Sequence, residues 1–188
     1  MQRPLGSADT RLMVLRGNSG SGKTTTRAVR ARYGSGLAIV SQDTVRREIL
    51  CEAHGPVGAT PGLIDVITRR CLDEGFHVVL EGIFSTARWG DLLRQLATDH
   101  RGASRFFYFD LSFPEMLRRH AARPEASEFG ESSMREWYRP VDLLGGMCET
   151  LIRQNSTLEE TVRMVMSEAG LEPKPAGEAD RPSHTEAW

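Results

Sequence analysis

The sequence has 188 residues and a formal net charge of −1, with 24 Lys and Arg against 25 Asp and Glu. This length fits one domain with a sizeable core, and the near-zero charge gives no electrostatic reason to expect nucleic acid or an anionic membrane as a partner. Three scattered cysteines and the lack of a long apolar run or leader segment predict a cytoplasmic protein with reduced thiols.

Five apolar runs alternate with helical patterns along the chain. The predicted strands cover residues 12–15, 37–40, 76–80, 105–110 and 149–153, and the predicted helices cover residues 24–32, 44–51, 63–72, 88–99, 114–122 and 158–169. Such alternation predicts an α/β fold in which helices pack on both faces of a central parallel sheet of about five strands, giving three layers, α/β/α.

The expected folded domain spans residues 11–171. Residues 1–10 are predicted to be a flexible lead, and residues 172–188, rich in Pro, Ala, Glu and Asp, a disordered tail. Residues 123–140 are polar and interrupted by glycine and proline, which predicts a lid inserted into the domain.

The stretch at residues 17–24, GNSGSGKT, matches the phosphate-binding loop G-x-x-x-x-G-K-[ST] and lies between a predicted strand and a predicted helix. Its glycines let successive N–H groups point at one anion beside the helix N-terminus. Lys23 is expected to reach the β- and γ-phosphates and to act in catalysis, and the Thr24 hydroxyl to ligate Mg²⁺. The predicted nucleotide-binding residues here are Gly17, Asn18, Ser19, Gly20, Ser21, Gly22, Lys23, Thr24 and Thr25.

Two carboxylates follow predicted strands, at the edge of a parallel sheet where ligands bind. Asp43 follows the second strand and is predicted to contact the acceptor and to take the proton from its attacking hydroxyl. Its alternative role is to cap the next helix, although Arg46 occupies the position where a capping box needs Glu or Gln. Glu81 ends the third strand and is predicted to hold a magnesium-bound water or the acceptor; the alternative is a solvated strand-end carboxylate.

Arginines and aromatic residues complete the predicted site. Arg46 and Arg47 are candidates for holding a polar or anionic acceptor. Arg119 and Arg123, four residues apart, are predicted to bind the phosphates and to offset the charge that develops during transfer, although a solvated helix face is the alternative. In the lid, Trp137 and Tyr138 are predicted either to stack on an acceptor ring or to pack the closed lid.

The motifs favour a small kinase over other phosphate-loop proteins. The chain has no N-K-x-D motif for guanine, and the D-x-x-G match at Asp142 comes too late in the sequence to belong to a GTPase. No signature of a motor, transporter or oligomeric ATPase is present. An acceptor pocket, a carboxylate and mobile arginines are what a phosphoryl-transfer enzyme needs.

The sequence resembles the small P-loop kinases, a group of P-loop NTPase fold that includes gluconate and shikimate kinases, chloramphenicol phosphotransferase and the zeta toxins. The likeness rests on residues 14–24, 41–48, 80–83 and 109–123, with a similar insert at 128–138. It implies ATP, Mg²⁺, lid closure and Asp43 as the base. The residues that bind shikimate or gluconate in those enzymes have no clear match here, so the acceptor stays open.

The sequence therefore predicts an ATP-dependent kinase that phosphorylates a hydroxyl of a small acceptor, such as a nucleoside, sugar or antibiotic. GTP is left open as the donor, and the protein is expected to be a monomer or a homodimer. The alternatives are a toxin-like nucleotide-sugar kinase and a regulatory ATPase with a protein partner.

Overall fold

A computed structural model describes residues 4–18, 23–53, 58–121 and 130–173; the side chains of Lys23 and Trp137 lie outside this description. The strands in these ranges are Arg11–Gly17 (β1), Leu37–Ser41 (β2), His77–Gly82 (β3), Ala103–Asp110 (β4) and Glu149–Arg153 (β5). The helices are Lys23–Tyr33 (α1), Thr60–Asp73 (α2), Thr86–Asp99 (α3), Phe113–Ala121 (α4), Glu131–Trp137 (α5) and Leu158–Ala169 (α6), and Thr44–Ile49 forms a π-helical segment.

The five strands form one parallel sheet in the order β2-β3-β1-β4-β5. Alternate residues of the central strand β1 face two separate cores. Val14 belongs to the core shared with α2 and α3, whereas Met13 and Leu15 belong to the core shared with α1 and α6. Burial on both faces explains the continuous apolar run of this strand, and the predicted three-layer fold is confirmed.

All five strands run in the same direction, so the two ends of the sheet differ. We call the loops that follow the five strands the carboxyl edge, and the loops that precede them the amino edge. Because β1 pairs with β3 on one side and with β4 on the other, the phosphate loop starts in the middle of the carboxyl edge. This is the topological position at which open α/β sheets bind ligands.

The segment after β2 differs from its prediction as a helix that buries Val45, Ile49 and Leu50. Val45 is buried and Leu50 packs against the same core, but Ile49 is 57% exposed. The reason is the wider π-helical turn, in which Leu50 N donates to the carbonyl of Val45 at 3.0 Å. This turn brings Leu50, rather than Ile49, to the core side.

Residues 4–10 pack against the domain, so the prediction of a flexible lead is wrong for this part of the chain. Leu5 is 2% exposed and forms a parallel β-bridge with His100. Gly6 N donates to Asp73 Oδ1 at 2.9 Å. An apolar side chain that reaches the core, together with paired backbone groups, orders this segment. Most of the predicted tail and residues 123–129 of the predicted lid lie outside the described residues, and α5 lies within the rest of the lid.

Candidate active site

The phosphate loop begins with a close backbone approach. Gly17 has φ +147°, and a Cβ at this position would lie 2.9 Å from the carbonyl oxygen of Phe109. Only glycine tolerates this geometry without displacing β4. Thr24, in the first turn of α1, is exposed, and Thr25 is 4% exposed. The predictions for residues 19–22 and for the Lys23 side chain fall outside the described part of the chain.

Glu81 lies beside the phosphate-loop helix. It pairs in register with Leu15 of β1 and Ser41 of β2. Since neighbouring register partners point to the same face of a sheet, Glu81 shares the face of Leu15, which packs in the core with Val29 of α1. Glu81 is 5% exposed. A buried carboxylate at this position is well placed to act together with the first turn of α1.

Asp43 lies at the carboxyl edge, just after β2, and its side chain is 42% exposed. Its backbone is helical and its side chain makes no capping hydrogen bond in the described structure. Ser41 Oγ instead accepts from Thr44 N at 3.4 Å. The capping alternative for Asp43 is therefore not what the structure shows. The Arg46 guanidinium lies 3.8 Å from Asp43 Oδ1, so this predicted acceptor-binding residue is paired with the predicted base; Arg47 is half-buried in the same segment.

Gln42 fixes the position of β2 relative to the loop after β3. Its side-chain oxygen accepts from Ile83 N at 2.9 Å and from Phe84 N at 3.3 Å. Asp43 directly follows Gln42, and Glu81 lies two residues before Ile83. Gln42 thus joins the two chain segments that carry the candidate carboxylates, a role that the sequence did not indicate.

Arg119 is engaged by its own helix and by the loop after β5. Its Nε donates to Glu115 Oε1 at 2.6 Å and its Nη2 to the carbonyl of Gln154 at 3.0 Å. The Arg118 and Arg119 guanidinium groups donate to Glu115 and lower the pKa of this carboxyl to about 2. Arg119 therefore lies at the carboxyl edge but is already paired, and its partner in the prediction, Arg123, lies outside the described residues.

Tyr138 packs at the base of the predicted lid. Its hydroxyl donates to the carbonyl of Leu111 at 3.2 Å, and its ring meets Phe113 edge to face, with centroids 5.4 Å apart. These contacts agree with the packing alternative for Tyr138. Stacking of Tyr138 or Trp137 on an acceptor stays a prediction.

A buried arginine directly before the phosphate loop was missed by the sequence reasoning. Arg16 is 0% exposed and every nitrogen of its guanidinium group donates. Nε bonds the Phe84 carbonyl, Nη1 bonds both Glu149 oxygens at 3.0 and 3.1 Å, and Nη2 bonds Thr86 Oγ1 and Asp142. The sequence did contain a signal for this residue, which is a charged residue within a buried apolar strand. Such a charge needs a partner. Asp142, which the sequence reasoning treated only as a chance motif match, is one of its partners.

The chain that follows the lid is hydrogen-bonded to Asn18 at the start of the phosphate loop and to Tyr108 of β4. We call residues 139–144 the return segment. Asn18 Nδ2 donates to the Arg139 carbonyl at 2.7 Å, and Arg139 N donates to Asn18 Oδ1 at 3.0 Å. The Tyr108 hydroxyl accepts from Asp142 N at 3.1 Å and donates to the Arg139 carbonyl at 3.4 Å. Burial raises the pKa of Tyr108, which keeps this hydroxyl protonated as a donor.

The family of the chain can now be stated. The model of the AAA domain family matches residues 12–142, which is most of the chain, so the protein belongs to this family of P-loop proteins. A search of curated proteins finds no match.

Solved structures with the same fold include kinases and a resistance protein. A gluconokinase from Sinorhizobium meliloti 1021 is 18% identical, with a TM-score of 0.56 over 90% of this chain and 94% of that one. The Deinococcus radiodurans tunicamycin resistance protein is 14% identical, with a TM-score of 0.62 over 88% and 99%. The Mycobacterium tuberculosis APS kinase in complex with AMPPNP and APS is 15% identical, with a TM-score of 0.62 over 87% and 97%.

At these identities the likeness establishes the fold, which is that of small P-loop kinases, and leaves the substrate undetermined. The predicted P-loop fold is thereby confirmed. Across the described residues, no helix combines the length and apolar character needed to cross a membrane.

Proposed function

We propose that the protein is an ATP-dependent kinase that transfers the γ-phosphoryl group to a hydroxyl of a small acceptor. The observation that carries this proposal is the placement of Asp43. Its carboxylate is partly exposed just after β2, and the preceding residue, Gln42, is hydrogen-bonded to the loop after β3. A carboxylate there is suited to accept the proton of an attacking hydroxyl.

Arg46 fits a second role beside this base. Its guanidinium lies 3.8 Å from Asp43 Oδ1, in a pair whose arginine side chain is 15% exposed. Arg46 is proposed to orient the Asp43 carboxylate and to offer its remaining donors to the acceptor. Arg47 is proposed to bind the acceptor.

The residues at the start of α1 and the end of β3 fit Mg²⁺. Thr24 supplies a hydroxyl and Glu81 a carboxylate, and Mg²⁺ prefers oxygen ligands while keeping several of its waters. Thr24 would bind the ion directly and Glu81 would hold one of its waters. When bound, Mg²⁺ would neutralise charge on the transferring phosphates. Lys23, Arg119 and Arg123 are proposed to contact the same phosphates.

The choice of donor and acceptor draws on the relatives. The APS kinase structure is a complex with AMPPNP, an ATP analogue, which supports ATP as the donor here. The neighbours include a gluconokinase and an APS kinase, whose names give acceptors of different chemistry on one fold, and also a tunicamycin resistance protein. We propose a nucleoside, sugar or antibiotic as the acceptor, and the cytoplasm as the compartment.

The test is ADP release from Mg-ATP with a panel of nucleosides, sugars, nucleotide sugars, aminoglycosides and nucleoside antibiotics. Mass spectrometry would then look for the gain of one phosphate. We expect one acceptor class to raise turnover well above background, with Lys23→Ala abolishing the increase. A phosphorylated nucleotide sugar would favour the toxin-like kinase. ATP hydrolysis that responds to no acceptor but to a protein partner would contradict the proposal and favour the regulatory ATPase.

A further inference from the structure

We propose that Arg139 is a catalytic residue that contacts the γ-phosphate, and that Asn18 is a positioning residue that holds Arg139 beside the phosphate loop. This inference rests on the proposed kinase function and goes beyond the arginines that the sequence indicated. Three features of the described residues carry it: a two-bond contact, its buried support, and the charge of Arg139.

The contact joins the phosphate loop to the return segment. Asn18 follows Gly17, at the point where β1 ends and the loop begins. Its side-chain amide gives one hydrogen bond to the Arg139 backbone and accepts another, at 2.7 and 3.0 Å. Both distances are those of well-formed bonds. The main chain of Arg139 is thus held directly against the start of the phosphate loop.

The buried side chains of Tyr108 and Arg16 stabilise this contact through hydrogen bonds to the return segment. The Tyr108 hydroxyl bridges the Arg139 carbonyl and Asp142 N. Asp142 in turn accepts from Arg16 Nη2 through its carboxylate at 2.9 Å and through its carbonyl at 2.6 Å. Arg16 is 0% exposed and Tyr108 is 2% exposed. Moving the return segment would break these buried bonds, so the backbone of Arg139 has a fixed position relative to the phosphate loop.

The charge of Arg139 is available for a ligand. Its side chain is exposed, and its Nη1 donates to the carbonyls of Glu136 and Tyr138 at 2.8 and 3.0 Å. No carboxylate among the described residues pairs with it. Arg119 and Arg135 differ, since each forms an ion pair within its own helix. Phosphate oxygens form stronger, charge-assisted bonds than neutral carbonyls do, so a phosphate nearby would draw the Arg139 guanidinium away from its present partners.

The proposal also changes the role assigned to Asn18. Its side-chain oxygen and one N–H of its side-chain nitrogen bond the Arg139 backbone, so this side chain serves to position Arg139. An arginine at this place would bind the group that distinguishes ATP from ADP. It would also offset the charge that builds up as the phosphoryl group is transferred.

The test measures the affinities of Mg-ATP and Mg-ADP by isothermal titration calorimetry on the full chain, without an acceptor. We expect Arg139→Ala to weaken ATP binding by about tenfold or more, the equivalent of one charge-assisted contact, and ADP binding by less than about twofold. Arg139→Lys should recover part of the loss. Asn18→Ala should reduce the same ATP preference, and adding it to Arg139→Ala should bring no further loss. Arg70→Ala is the control, because this exposed arginine pairs with Glu74 at the far end of α2.

Three outcomes would overturn the proposal. The first is an ATP preference in Arg139→Ala that equals the wild-type value. The second is an equal loss of ATP and ADP affinity, which a structural role would produce. The third is full additivity of the Asn18 and Arg139 changes. A wild-type chain that binds neither nucleotide would overturn the kinase proposal together with this one, so failure of the two can be told apart.

Discussion

The two edges of the sheet are built in opposite ways. At the amino edge the polar groups are paired with one another: Thr10 Oγ1 contacts His100 Nε2 at 2.9 Å, and His100 Nδ1 contacts Ser104 Oγ at 3.0 Å. The described non-glycine residues with positive φ lie elsewhere: Cys51 (47°) in the connection after β2, Phe84 (42°) in the loop after β3, and Val141 (48°) in the return segment that is bonded to Asn18.

This difference separates a region in which polar groups only stabilise one another from the region in which we propose the ligand site. A non-glycine residue whose backbone lies in the left-handed region loses of order 1–2 kcal/mol of stability. Such strain persists only where surrounding contacts hold the backbone in that conformation. The Phe84 carbonyl and the carbonyl of Asp142, which follows Val141, both accept from the buried Arg16, and these hydrogen bonds supply such contacts. Each prediction below changes one of these two regions and compares the result with a control variant or with the wild type.

The largest effect is expected from Arg16→Met at the carboxyl edge. Removing the guanidinium leaves the carboxylate of Glu149, whose side chain is 2% exposed, without its charged partner. Breaking a buried pair in this way should lower the free energy of unfolding by about 3–5 kcal/mol. Urea denaturation measures this loss. Arg16→Met with Glu149→Leu, which removes both charges, should recover part of it, and a double variant as unstable as the single one would contradict the explanation.

A loss of about 2–5 kcal/mol is expected from Leu5→Ala at the amino edge, because this side chain is 2% exposed within the core. The matched control is Leu158→Ala, which truncates a leucine that is 46% exposed. Urea denaturation of both variants measures the difference. Equal stabilities for the two would mean that residues 4–10 contribute no more than the flexible lead predicted from the sequence.

A gain of up to about 1 kcal/mol is expected from Val141→Gly, which relieves backbone strain at φ 48°. Val141 is 55% exposed, so little burial is lost. Leu143→Gly is the control, because Leu143 has similar exposure without a positive φ and should lose stability. Thermal unfolding measures both changes, and a destabilised Val141→Gly would show that the strain is not relieved.

The smallest effect is a pH dependence from His100. Burial lowers the pKa of this histidine because it disfavours the charged form, and Arg11 adds to the effect. The unfolded chain therefore binds the proton more readily than the folded protein. The stability that His100 contributes is present above the unfolded pKa of about 6.5 and is lost as the pH falls through the lower folded pKa. Between pH 7.5 and pH 5 the wild type should lose more stability than His100→Gln, and equal losses would contradict this assignment.

The tautomer of His100 follows from its neighbours. The Thr10 hydroxyl donates its hydrogen to the carbonyl of Ser7 at 2.8 Å. It must therefore accept from His100 Nε2–H, which leaves Nδ1 to accept from Ser104. Gln at position 100 offers a donor without a titrating group, which makes it a suitable comparison.

The sequence predicted the sheet well because each buried strand is a local apolar run. It also placed the phosphate loop, Asp43 and Glu81 at one edge, since parallel strands bring their carboxyl ends together. Local patterns did not reveal the partners of Arg16, because Asp142 lies 126 residues further along the chain. Nor did they reveal α5, a seven-residue helix in a polar segment, where short length and mixed composition give no periodic signal.

Activity measurements on variants test the roles of the predicted site residues. Asp43 and Arg119 both lie at the carboxyl edge, but the structure distinguishes their surroundings. Arg119 is held by Glu115 and the Gln154 carbonyl, whereas the Asp43 side chain is 42% exposed beside Arg46. The carboxylate is therefore the more direct target for a test of phosphoryl transfer.

The most direct measurement compares wild type and Asp43→Asn for phosphate transfer to the acceptor found in the panel, with ATP affinity measured on the same samples. Asparagine keeps the shape of the side chain but cannot take up the proton. We expect transfer to fall by about 10²–10⁴-fold while the affinity for ATP is nearly unchanged. Unchanged transfer in Asp43→Asn would remove Asp43 as the base and contradict the central claim for the carboxyl edge.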